Sequence, residues 1–191
     1  MKLLKDRILS DGVVLDGGVL NVDGFLNHKI DVVLLNEIGK EFARIFKDEK
    51  ITKIMTIEAS GIAVAAITAQ YFNNVPVVYA KKVKSALMSK DVYSEKVQSF
   101  TANKIYDIYV SKNYISSDDR ILIIDDFLAR GCALKGLIEI IKTSGAELVG
   151  AGIAIEKKYM HGGDKIREKG IRVESLASIE SIDAEKGITF N

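Results

Sequence analysis

Residues 121–133, Ile-Leu-Ile-Ile-Asp-Asp-Phe-Leu-Ala-Arg-Gly-Cys-Ala, constrain this chain more than any other stretch. Four consecutive aliphatic residues suit a strand buried on both faces, as in a parallel sheet. The run stops at two adjacent carboxylates, Asp125 and Asp126. A short loop with one glycine, Gly131, then opens a segment carrying Leu134, Leu137, Ile138 and Ile141 at helical spacing. In open α/β sheets, ligands bind beyond the carboxyl ends of the strands. A helix N-terminus behind such a strand offers backbone N–H groups and partial positive charge to an anion. Paired carboxylates accept from vicinal hydroxyls or stand near a cation. On the residues alone, the stretch is a sugar-phosphate site, with hydroxyls on the aspartates and phosphate on the loop. The plainer alternative is an ordinary strand-to-helix turn with an acidic cap.

The rest of the chain repeats this alternation. Residues 3–9 suit a short amphipathic helix, and two extended pieces flank Asp16-Gly17-Gly18. Asp31 is placed to cap a helix running to Phe46, with Val32, Leu35, Ile38, Phe42 and Ile45 on one face. A strand at Lys53–Ile57 leads through Glu58-Ala59-Ser60-Gly61 into a buried helix at 62–72, followed by a strand at Val75–Ala80. Residues 81–103 carry lysines and serines with few large aliphatics, which suits an exposed, mobile excursion. Ile105–Val110 resumes the strand pattern, Ile121–Ile124 is the most apolar strand, and Leu148–Ile155 is another. A charged helix near 164–169 and strands near 171–177 and 187–190 complete the pattern. Strands alternating with helices predict a single α/β domain with a mainly parallel central sheet flanked by helices.

Composition excludes several classes. The 191 residues suffice for one substantial core. With 27 basic and 26 acidic residues, the formal net charge is +1, so no basic excess points to nucleic acid. No apolar run reaches the ~18 residues of a membrane span, and the opening Met-Lys-Leu-Leu-Lys-Asp-Arg is mixed in charge, unlike a signal peptide. One cysteine, Cys132, permits no intrachain disulfide and fits a reducing compartment. The expectation is a cytoplasmic protein that engages neither membrane nor nucleic acid.

Four further features bear on chemistry. Glu58-Ala59-Ser60-Gly61 follows a strand and opens a helix, so its N–H groups face the same sheet edge as the Asp125 stretch. Lys81, Lys82 and Lys84 begin the polar excursion. The segment Val19–Asp31 holds buried-type aliphatics together with Asn27 and His28, and a lone histidine of this kind is more often structural than catalytic. Lys157 stands just past a strand, and Phe127 either stacks on a ligand or packs in the core. Cys132 occupies a helix start, where a thiol can be activated, but no partner histidine is near in the sequence. It is read as a small loop-filling residue.

The run from Ile121 to Ala133 resembles the phosphoribosyl-pyrophosphate signature of the type I phosphoribosyltransferases: four aliphatics, two acids, two apolar residues, then a small-residue loop. That resemblance implies ribose hydroxyls on Asp125 and Asp126, and the 5′-phosphate on the amides of Ala129, Arg130, Gly131, Cys132 and Ala133. Glu58, Ala59, Ser60 and Gly61 resemble the family's pyrophosphate loop, where a strained peptide lets amides grip the leaving group. Residues 81–103 correspond to a flexible hood that closes over the site and adds positive charge near the pyrophosphate, with Lys81, Lys82 and Lys84 the candidates, Lys82 first. Val19–Asp31, Thr56–Ala63 and Ile153–Lys157 resemble the purine-salvage members of the family that act on xanthine. For those, Leu20, Asn27 and Lys157 define the base pocket, with Phe127 a candidate for stacking. The resemblance also implies Mg²⁺ bound through the substrate pyrophosphate, without a dedicated protein metal site, and a homodimer. Base-binding elements fall at 1–30 and 156–191. Two positions depart from the family pattern. Arg130 stands where a small hydroxyl or amide residue is usual and either adds a phosphate contact or faces solvent, and Cys132 stands where glycine or a polar residue is common. Ala129 stands where some relatives carry an acid, so no general base is assigned. Other purines, or a non-catalytic sensor of phosphoribosyl pyrophosphate, are the alternatives.

Overall fold

A computed structural model describes residues 1–15, 18–84, 90–99, 104–183 and 187–191. Part of the expected turn at Asp16-Gly17-Gly18 and parts of the expected hood (85–89 and 100–103) lie outside the described residues.

Helix α1 (Lys2–Asp11) precedes a small antiparallel pair, β1 (Val13–Leu15) and β2 (Val19–Asn21). A single π-helical turn, Asp23–Asn27, buries Phe25 and Leu26. Helix α2 (Val32–Ile45) is capped as expected: the Asp31 carboxylate accepts from the Leu34 N–H at 3.1 Å. Its buried face runs through Leu34, Leu35, Ile38 and Phe42, so the expected place of Val32 on that face is corrected. Val32 is the first helical residue and projects past the edge of the core. Then follow β3 (Lys53–Ile57), α3 (Gly61–Gln70), β4 (Val77–Ala80), β5 (Val92–Ser99), β6 (Lys104–Ser111), β7 (Arg120–Leu128), α4 (Cys132–Ser144), β8 (Glu147–Lys157), α5 (Gly162–Arg167), β9 (Val173–Asp183) and β10 (Gly187–Phe190).

Among the described residues the main sheet has the order β10-β9-β8-β7-β3-β4, parallel except for β10. Its central strands alternate between two cores. Ile54, Leu122 and Ile124 join Leu35, Ile38 and Val64 of α2 and α3 on one face. Met55, Ile121 and Ile123 join Leu137, Ile140 and Ile141 of α4 on the other. A strand covered on both faces needs apolar side chains in both directions, which is why Ile121–Ile124 is an unbroken aliphatic run.

Two sequence expectations are revised. The strand around Ile121 does not end at Ile124. It continues to Leu128, because β8 runs beside it and supplies partners: Asp125 lies opposite Ile153 and Phe127 opposite Ile155. The carboxylates are thus in the strand, not beyond it. The described part of the polar excursion also contains a strand that its composition did not suggest. Val92–Ser99 forms β5, and the strand at Ile105–Val110 pairs with it in a separate hairpin instead of joining the main sheet. Val97, Ile108 and Val110 are buried, and Val97 and Ile108 seat against Gly136 of α4. Three apolar side chains on one face anchor a hairpin whose other face mixes polar residues (Ser94, Lys96, Gln98, Asp107) with the exposed Ile105.

Candidate active site

The strand order reverses direction at β3 and β7. From β3 the chain moves outward to β4, and from β7 it moves the other way through β8 and β9. Such a switch point leaves a crevice at the carboxyl ends of the two strands, because their following loops lead in opposite directions. Here the crevice is real in the pairing. β3 and β7 are matched only from Lys53↔Ile121 to Met55↔Ile123. Beyond that point β3 leans to β4, where Thr56 faces Tyr79, and β7 leans to β8. Asp125 and Asp126 are the first polar residues of β7 past the split.

Asp125 is 5% exposed. Its Oδ1 accepts from the Asp126 N–H at 3.0 Å. Burial, and then the adjacent Asp126 carboxylate, push its pKa well above the usual carboxylate range, and Lys82 pulls it back. Asp126 is also raised by burial, against the opposing effects of its hydrogen bond with Asp125 and the Phe127 N–H. Two neighbouring acids whose charged forms burial disfavours are candidates for a functional site.

The loop after β7 has its own support, which no sequence motif announced. Gly131 takes a left-handed conformation, φ 77°, at the start of α4, a turn that glycine makes without steric cost. Helix α5 packs its first residues on this loop. A side chain on Gly162 would collide with the Ala129 carbonyl and the peptide joining Arg130 to Gly131. Behind α5, Arg167 donates through Nη1 and Nη2 to the two Glu156 oxygens at 2.8 and 2.7 Å, and Ser175 donates to the same carboxylate at 2.6 Å. Glu156 is 2% exposed. Burial alone would raise its pKa, but the Arg167 and Ser175 bonds outweigh it and hold the group low. Because Glu156 lies opposite Leu128 in the sheet, this ion pair ties α5, and with it the loop, to the end of β7. The signal in the sequence was the pair Gly162-Gly163 after a strand, which is weak by itself.

The loop after β3 sits on the other side of the crevice. The Glu58–Ala59 peptide is cis. The Glu58 side chain accepts from the Lys82 N–H, which joins this loop to the root of the β5–β6 hairpin. Lys81 pairs with Tyr109 through both backbone groups, at 2.9 and 2.8 Å. Lys82 Nζ lies 5.9 Å from the Tyr106 ring centroid. Tyr106 is raised in pKa by burial and then by Asp125 and Cys132, so this tyrosine, missed by the sequence reading, lies within electrostatic reach of both carboxylate and loop. Cys132 is a free thiol, half-buried, and opens α4. Arg130 is exposed.

Of the expected base-pocket residues, Lys157 and Phe127 are together: Lys157 Nζ stands 5.5 Å from the Phe127 ring centroid, a cation–π distance. Burial lowers the Lys157 pKa. Phe127 packs on the same core cluster as Leu20, Phe25 and Leu26, so both of its expected roles are compatible. Leu20 is buried. Asn27 Oδ1 is buried with no hydrogen-bond partner, and a polar atom left so costs stability unless something else satisfies it.

Among the described residues no three His, Cys, Asp or Glu side chains converge as metal ligands. The nearby donors are carboxylates, which suit Mg²⁺ when it takes its remaining ligands from phosphate and water. No described helix is long and apolar enough to cross a membrane.

Comparison with known proteins follows the same lines. The phosphoribosyl transferase domain model matches residues 33–185. A xanthine phosphoribosyltransferase of Lachnoclostridium phytofermentans is 59% identical over 187 residues, covering 98% of this chain and 96% of the relative. Xanthine phosphoribosyltransferase 2 of Clostridium botulinum is 58% identical over 186 residues, 97% of this chain and 98% of the relative. Among solved structures, APRTase of Giardia lamblia in complex with 9-deazaadenine superposes with TM-score 0.77 at 23% identity, covering 92% of this chain and 97% of that one. Adenine phosphoribosyltransferase of Thermoanaerobacter pseudethanolicus gives 0.74 at 18%, covering 92% and 99%. At such identities the structures speak for the fold alone.

Proposed function

Because the chain belongs to the phosphoribosyl transferase family, we propose that it transfers the 5-phosphoribosyl group of 5-phosphoribosyl 1-pyrophosphate to N9 of xanthine, giving xanthosine 5′-monophosphate and pyrophosphate in purine salvage. The observation that carries this reading is the crevice between β3 and β7, with the buried Asp125 and the half-buried Asp126 past the split and one loop on each side. Near-full-length relatives named for xanthine supply the base.

In this reading Asp125 and Asp126 accept from the ribose 2′ and 3′ hydroxyls. The amides of Ala129, Arg130, Gly131, Cys132 and Ala133 hold the 5′-phosphate at the start of α4, where the helix dipole favours an anion. Glu58, Ala59, Ser60 and Gly61 receive the pyrophosphate, and Lys81 and Lys82 bring positive charge from the hood. Mg²⁺ accompanying the pyrophosphate would supply charge neutralisation on the leaving group. As the bond to pyrophosphate lengthens, C1′ gains positive charge, and the neighbouring carboxylates favour it. Leu20, Asn27, Phe127 and Lys157 hold the base with N9 toward C1′. Asn27 offers the donor and acceptor that the 2-oxo edge of xanthine needs, and a site with such a group rejects bases that leave it unpaired. The contribution is orientation and electrostatics, with no covalent intermediate. The family resemblance extends to base-binding elements at 1–30 and 156–191, a homodimer and a cytoplasmic location.

Steady-state comparison of xanthine, guanine, hypoxanthine and adenine tests the reading. The expected order places xanthine first in kcat/KM; fastest turnover with adenine overturns the assignment.

A further inference from the structure

Thr56 is the first residue of β3 beyond its last pair with β7. It is 0% exposed, and its hydroxyl oxygen is buried with no hydrogen-bond partner. Nothing in an ordinary core asks for that. A buried hydroxyl without a partner destabilises a fold, and an apolar residue of the same shape avoids the cost. Valine has that shape.

The surroundings explain what the hydroxyl faces. A carbon placed on Gly61, the first residue of α3, would stand 2.6 Å from Asp125 Oδ1 and closer still to Thr56 Oγ1. Both oxygens therefore border the small space that the missing side chain leaves. The glycine keeps that space open, and β3, α3 and β7 converge on it. In this structure Oδ1 is turned to the Asp126 N–H.

We propose that Thr56 is a positioning residue for the donor substrate: its hydroxyl donates to the Asp125 carboxylate when that carboxylate turns to accept the ribose hydroxyls. The inference rests on the ribose reading of Asp125 given above. The hydroxyl is unpaired in the free enzyme and paired in the complex, so its removal costs binding and not folding. Thr56 touches no reacting atom and acts only through Asp125.

Three proteins test this: the wild type, Thr56→Val and Thr56→Ser, each measured for binding of 5-phosphoribosyl 1-pyrophosphate, for kinetics with xanthine, and for thermal unfolding without ligand. Thr56→Val is expected to raise the donor Kd and KM roughly tenfold, the weight of one hydrogen bond to a charged group, with a much smaller change in kcat at saturating donor. Its ligand-free Tm should equal or exceed that of the wild type. Thr56→Ser, which keeps the hydroxyl, should restore donor affinity even where its Tm falls from the lost methyl. Unchanged donor affinity in Thr56→Val overturns the inference. So does a serine variant as weak as the valine one, since the methyl packing would then be the cause. A wild type that fails to bind the donor overturns the site reading itself, and this inference with it.

Discussion

At the scale of single residues, the carboxylate pair works against the fold that holds it. Asp125 is pushed up in pKa by burial and by Asp126, so the folded protein binds its proton more tightly than the unfolded chain does. Stability therefore falls as pH rises from the unfolded carboxylate value, about 3.9, toward the raised folded value. Asp125→Asn removes this burden. Its Tm is expected to match the wild type near pH 4 and to exceed it by a few degrees at pH 7, while activity is lost; differential scanning calorimetry across that range reads the sign directly. Asp126→Ala should likewise abolish ribose binding without unfolding the chain, and wild-type turnover by that variant would remove Asp126 from the site. The aspartates and the loop after β7 stood out in the sequence because they are contiguous. Thr56 and Tyr106 were not, since each looks like an ordinary strand residue and gains its meaning from a neighbour far away in the chain.

At the scale of elements, the loop after β7 proposed to hold the phosphate is only as well placed as the helix behind it. Helix α5 has six residues and is too short to be stable by itself, so its place is set by packing. The Gly162 backbone rests directly on Ala129 to Gly131. Gly162→Ala is expected to displace that loop and raise the donor KM by tenfold or more, while xanthine binding by the free enzyme, read by calorimetry, changes little. Equal loss for both ligands would mean general disruption. The hood illustrates the opposite limit of sequence reading. Ser94, Lys96 and Gln98 lie on one face of the β5–β6 hairpin, and Val97, Ile108 and Val110, the last two spaced two apart on one strand, are buried on the other. The strand pattern in Ile105–Val110 was visible. What it paired with was not, because an antiparallel partner and a main-sheet neighbour ask for the same local pattern.

At the scale of the whole molecule, the Glu156–Arg167–Ser175 cluster joins β8, α5 and β9 behind the site. Glu156 is held below its ordinary pKa, so its stabilising effect is present above the unfolded glutamate value, about 4.3, and disappears as pH falls through the folded one. Arg167 remains partly exposed, which tempers the loss. Glu156→Gln is expected to cost about 1–3 kcal/mol at pH 7, with the difference from wild type shrinking below pH 4 in urea titrations; a difference independent of pH would place the cost in packing. Helix and strand identity, the two loops and the α/β class followed from the sequence, because periodicity and strand–loop–helix motifs depend on residues within a few positions of one another. The family resemblance, carried by those same contiguous runs, pointed to the donor and the base. Only the tertiary structure decided that β7 carries its aspartates along β8 past the point where β3 departs, that α5 underlies the loop after β7, and that a threonine hydroxyl and the Asp125 carboxylate border one space beside Gly61. Those arrangements depend on which distant segments meet, and the strength of a buried carboxylate, ion pair or hydroxyl is set by that meeting.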